Sequence, residues 1–181
     1  MKKNSDLNNI AFPKIWKRYY IVKKTNSFLK IKEKMKKPKT LTIICVDSNN
    51  IHALMMEKFF EKILKERDIE AVVFSVSTNI KHDMSLNTHL LQIMNKYDFD
   101  ISDYLIKPID TYVIGKFDYI FCCDVHIKNQ LIKKGLPANK INILSEDIPN
   151  PFGKNITSYT SCAELIEMNI SRSVDKMNLK K

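Results

Sequence analysis

No apolar run in this 181-residue chain approaches the roughly 20 residues that a membrane-spanning helix needs, so no transmembrane segment is expected. A compact apolar stretch of the kind that marks a secretory leader is also missing from the N-terminus, which leads to the expectation of a cytoplasmic protein. Cysteine is sparse: Cys45, Cys122, Cys123 and Cys162 have no metal-ligand spacing, and an adjacent pair inside an apolar strand reads as buried thiols of a reducing compartment. The Cys122, Cys123, Asp124, His126 cluster makes a poor zinc site, because neighbouring strand residues point to opposite faces. His82 and His89 are expected on a loop and on a helix surface. No metal and no cofactor is therefore predicted.

What is present is unevenly distributed. Residues 1–40 hold 13 Lys or Arg against Asp6 and Glu33, whereas the remainder carries 17 against 18, so the whole net charge of +10 belongs to an N-terminal arm. In that arm Phe12, Ile15, Trp16, Tyr19 and Tyr20 recur at spacings of three and four, giving one apolar stripe if Pro13 opens a helix. Lys14, Lys17, Arg18, Lys23 and Lys24 would line the other faces. A basic leader can also be a plain solubilising tail, and Lys, Asn and Ile are abundant throughout this chain, as in an AT-biased coding sequence. Residues 12–24 are read as a candidate contact for a protein or an anionic surface, with nucleic acid the less expected partner. Lys36, Lys37, Pro38 and Lys39 read as a linker.

After the linker the pattern alternates. Strands are predicted near 41–46, 71–76, 118–123 and 141–144, and helices near 53–67, 85–97, 125–134 and 155–172. Ser85 and Asn155 suit N-caps of the second and fourth helices, and Gly135 the C-cap of the third. Such alternation predicts an α/β three-layer sandwich: a four-stranded parallel sheet with helices on both faces, plus the basic N-terminal extension. The expected division is an arm at 1–40, a domain at 41–175 and a tail at 176–181. In such sheets ligands bind beyond the carboxyl ends of the strands, which places the 47–52 loop at the expected site.

That loop lies in the stretch LTIICVDSNNIHALMMEKFF, residues 41–60, where an apolar strand feeds a polar loop and then a helix. A junction of this kind aims backbone N–H groups and the positive end of a helix dipole at one point. The segment resembles the phosphate-binding loop of the low-molecular-weight protein tyrosine phosphatases and their arginine-phosphatase and arsenate-reductase relatives, whose pattern is C-x-G-N-x-C-R-S-P-M-A-E. Met55, Met56 and Glu57 stand for M-A-E, and Phe60 for the aromatic that follows. A gapless count back puts Asn49 on the loop-shaping Asn, Ser48 on the Gly, Val46 on the nucleophilic Cys and His52 on the phosphate-gripping Arg.

A second match lies at 145–153, SEDIPNPFG, which is similar to the family's acid loop D-I-P-D-P-F-G. The general acid's position is taken by Asn150, and an amide is no proton donor at neutral pH. Residues 75–78 resemble the family's S-A-G-T, 99–104 its G-I-D-x-S-x-H, 116–124 its strand ending in M-D, and 142–144 its next strand. By this resemblance Ser48, Asn49, Asn50, Ile51 and His52 would form an anion-binding loop, and Asp124 and Phe152 the pocket wall. His52 would grip an anion when protonated or cap the helix.

A different register does not restore the reaction. Cys45 lies one residue before the aligned position, on the alternate face of the strand, and the loop carries Asp47 in place of any arginine. The functional expectation is a phosphatase-like protein without turnover, binding a phosphorylated or other anionic ligand or a protein partner. The alternative is an active phosphoric-monoester hydrolase with a non-standard site, using His52 as nucleophile or acid or Asp47 as phosphoryl acceptor.

Overall fold

The computed structural model describes residues 40–79, 87–111, 113–145 and 148–177. The arm and its stripe, the Pro38 linker, His82, Ser85 and residues 178–181 lie outside them. Four strands alternate with four helices: β1 (Leu41–Asp47), α1 (Ile51–Glu66), β2 (Ala71–Ser77), α2 (Thr88–Lys96), β3 (Tyr119–Cys122), α3 (Val125–Lys133), β4 (Ile141–Ile143) and α4 (Ile156–Lys176). The sheet has the order β2-β1-β3-β4 and is fully parallel, the latter as the alternation predicts.

Strand periodicity divides the core in two. Ile43 and Cys45 face α1, α2 and α4 on one side, while Ile44 and Val46 face Ile127 and Leu131 of α3, with Ile109 and Ile114, on the other. Both faces of β1 are covered, which explains its nearly continuous apolar sequence. A central strand whose neighbours β2 and β3 are reached in opposite directions creates a switch point at its carboxyl end, and the 47–52 loop starts there.

Several boundaries differ from those predicted. The first helix opens at Ile51 instead of residue 53, because Asn50 takes up a left-handed conformation (φ 65°) that turns the chain directly from strand to helix. The second opens at Thr88, not near Ser85: Asn87 is its N-cap, its side chain accepting the N–H groups of His89 and Leu90. Asn155 caps α4 as predicted, accepting from Ser158, and Gly135 (φ 89°) follows α3. The last helix runs on to Lys176, and Met177 is buried against the core, so the domain does not stop at residue 175. Apolar periodicity continues through Ile166, Ile170 and Val174 to Met177, which carries the helix past the predicted end.

Candidate functional site

The last residue of β1 decides the site. Alternation carries Asp47 to the face of the sheet shared with Ile43 and Cys45, and from there its carboxylate turns back into the loop. Oδ1 accepts the N–H of Ser48 at 2.7 Å, and Oδ2 accepts the N–H of His52 at 3.0 Å. The His52 ring stands on the same oxygen, with Nδ1 3.7 Å from Oδ2. Asp47 is 4% exposed and His52 5%.

Two buried groups of opposite charge shift each other. Burial alone would raise the Asp47 carboxyl, but the His52 ring and the N–H groups of Ser48 and His52 hold it below its ordinary value. Burial likewise works against a charged His52, yet the hydrogen bond that the ring gives to Asp47, with support from Cys162 and the aspartate's charge, pushes it up to about 10. At neutral pH the pair is carboxylate and imidazolium. The second ring nitrogen, Nε2, then donates to the carbonyl of Pro149 at 3.2 Å, fastening the 148–150 segment to the loop.

The rest of the loop is fixed by neighbouring strands. Asp47 O accepts the N–H of Thr78 at 2.8 Å, and Ser77 Oγ donates to Ser48 O at 2.6 Å. Asn49 Oδ1 accepts the N–H of Ile51 at 3.3 Å, and Asn50 Nδ2 donates to Tyr104 Oη at 3.2 Å. Behind Tyr104, the Ser75 hydroxyl donates to the buried Glu57 carboxylate.

The expected site residues are therefore only partly brought together. Ser48, Asn49, Asn50, Ile51 and His52 do form one turn at the helix start. Val46 does not belong to it: its fully buried side chain packs on the α3 side of the sheet. The gapless count fixed a position without fixing a face, and if Asp47 stands in the nucleophile's place the loop is one residue shorter than the family pattern. The face assigned to Cys45 is corrected too, since it shares Asp47's side of the strand but is sealed under α1 and α4.

Asn150 stands at the surface, its Oδ1 accepting the N–H of Phe152 at 3.0 Å. Phe152 is 60% exposed and stands toward solvent instead of closing a pocket wall among the described residues. The Asp124 carboxylate caps its own helix by accepting the N–H of His126, and so turns away from the pocket-wall role. His52 caps no helix end with its side chain. His126 is exposed beside Gln130, while His89 is half-buried against the Tyr159 ring instead of lying on a free surface.

Among the described residues no group of three or more His, Cys, Asp or Glu is placed to hold a metal ion. All four cysteines are free and buried. Burial pushes the thiols of Cys45, Cys122 and Cys123 up, away from the thiolate form that a nucleophile needs. Sequence reasoning missed Cys162 and Pro149, which meet the His52 ring from remote positions; no local pattern announces either.

The sequence model described as low molecular weight phosphotyrosine protein phosphatase matches residues 40–181. A low molecular weight protein tyrosine phosphatase from T. tengcongensis is similar at 19% identity and a TM-score of 0.69, over 76% of this chain and 100% of that one. A mutant of YwlE from Bacillus subtilis aligns at 17% identity and a TM-score of 0.69, over 76% and 99%. The tyrosine phosphatase Wzb from Escherichia coli K30, solved in complex with sulphate, aligns at 12% identity and a TM-score of 0.65, over 76% and 97%. Comparison with curated protein sequences gives no match.

Proposed function

Because this chain belongs to the low molecular weight phosphotyrosine protein phosphatase family, we propose that it is a member that keeps the scaffold without thiol-based hydrolysis and acts by binding. The observation that carries this reading is the occupant of the loop: a buried carboxylate, Asp47, in a turn that holds neither a thiol nor an arginine. Phosphoryl transfer needs a nucleophile and positive charge around the transferring group. Here the one cation in the turn, His52, is already neutralised by Asp47. The acid position adds nothing, since Asn150 uses its oxygen to close a turn.

The partner in this reading is a protein surface that meets the loop face, with residues 12–24 as a second contact for a protein or an anionic surface. A cytoplasmic setting accords with four buried, unpaired thiols. The competing reading, a hydrolase with Asp47 as phosphoryl acceptor, draws on the same carboxylate.

Release of phosphate from an aryl phosphate and from a phosphoarginine peptide, followed between pH 5 and 8, separates the two. The natural chain is expected to release none above buffer. Turnover that vanishes in Asp47→Asn or His52→Gln would establish the competing hydrolase. A chain carrying Asp47→Cys, His52→Arg and Asn150→Asp, with one residue inserted after Asn49 to restore the family's loop length, is expected to gain turnover. The same set built on Val46→Cys is not, because that side chain faces α3.

A further inference from the structure

We propose that Asp47 is the resident ligand of its own loop: an internal carboxylate sits where an external oxyanion would, and closes the turn to phosphate and sulfate. This rests on the non-hydrolytic reading of the site and specifies what fills it. Three donors that a bound oxyanion would use are committed to one side chain: the N–H groups of Ser48 and His52, and the His52 ring. Two carboxylate oxygens satisfy them with the hydrogen bonds and charge that two phosphate oxygens would supply.

The occupant is held in place from several directions. Its backbone is the last rung of the β1–β2 ladder, opposite Ser77, and its carbonyl accepts from Thr78. The loop cannot easily swing away either, since Ser77 fixes the Ser48 carbonyl and Tyr104 holds the Asn50 amide. Above the pair, the His52 ring is tied to Pro149. An incoming dianion would have to enter beside an ionised, buried carboxylate and take its only counter-ion in the turn. Removing the carboxylate reverses the situation: a buried imidazole and two N–H groups then face one point with no partner, which is an oxyanion seat.

Inorganic phosphate and sulfate titrated calorimetrically into the full-length chain and into its Asp47→Ala variant test this. The natural chain is expected to show no saturable binding at millimolar anion, and Asp47→Ala to bind phosphate at least about a hundredfold more tightly, the repelling charge being gone. Adding His52→Gln to Asp47→Ala should abolish the gain. Equal affinity in the natural chain and Asp47→Ala would overturn the proposal, as would a cooperatively melting Asp47→Ala protein that binds nothing. Should Asp47→Ala fail to fold, the natural chain still decides: excess phosphate must leave the amide resonances of Ser48 and His52 unmoved, and saturable shifts there would overturn the occupancy. Aryl phosphate turnover is a separate readout, so failure of the non-hydrolytic reading is distinguishable from failure of this one.

Discussion

A buried carboxylate must recover from hydrogen bonds and a counter-ion what it loses in hydration. Asp47 recovers it from two N–H groups and His52, so each partner protects the other. His52→Gln leaves that carboxylate buried without its cation, and is expected to cost about 3 kcal/mol in urea unfolding at pH 6. The sign of the pH dependence follows from the two shifts. A histidine raised from 6.5 to about 10 stabilises fully below pH 6.5, and its contribution falls away as pH rises toward 10. The lowered carboxyl stabilises above its ordinary value of 3.8 and loses that contribution as pH falls through its folded value. Natural-chain stability should therefore decline between pH 6.5 and 10 with a slope that His52→Gln lacks. At this scale the sequence was legible as chemistry and not as geometry. The missing arginine and acid were plain, but a nearly all-apolar β1 hides which residues share a face, and so hid that Asp47, not Val46, addresses the turn.

Three of the four helices end alike, which the sequence disclosed only once. After α1, α2 and α3 the chain enters the left-handed region at Asp68 (φ 57°), Asp98 (φ 62°) and Gly135 (φ 89°). The following N–H groups, of Ile69, Phe99 and Leu136, return to the carbonyls of Leu64, Met94 and Leu131, closing a Schellman motif each time. Gly135 was readable because glycine names this position; Asp68 and Asp98 were not, because aspartate marks many kinds of turn. Gly135→Ala meets no atom within 4 Å, so its whole cost, about 1 kcal/mol, should be backbone strain. Asp98→Gly relieves the same strain and removes a negative charge from a helix C-terminus, and a gain of a few tenths of a kcal/mol is expected. Chemical denaturation of the two variants beside the natural chain measures both. Strand and helix order was recoverable because short apolar runs alternate with stretches of helical spacing. The start of α1 was not, since it depends on Asn50 alone.

The whole molecule divides by charge. Residues 41–181 carry 17 basic against 18 acidic side chains, so a chain beginning at Thr40 is close to neutral, while the arm holds the excess. If residues 12–24 contact an anionic surface, the full chain should sediment with phosphatidylserine vesicles and release them as salt rises, whereas residues 40–181 should not. Sedimentation of both forms alike would move the contact onto the domain. The domain was the legible part of the sequence, and no described helix is long and apolar enough to cross a membrane. A last consequence concerns time. A loop that serves turnover must take up and release a ligand with every catalytic cycle. Here the amides of Ser48 and His52 end on a buried charge that is itself pinned between strands, so their protons can leave only when the end of β1 opens. The most chemically suggestive turn of the fold would then run on the clock of unfolding, and exchange among its slowest hydrogens.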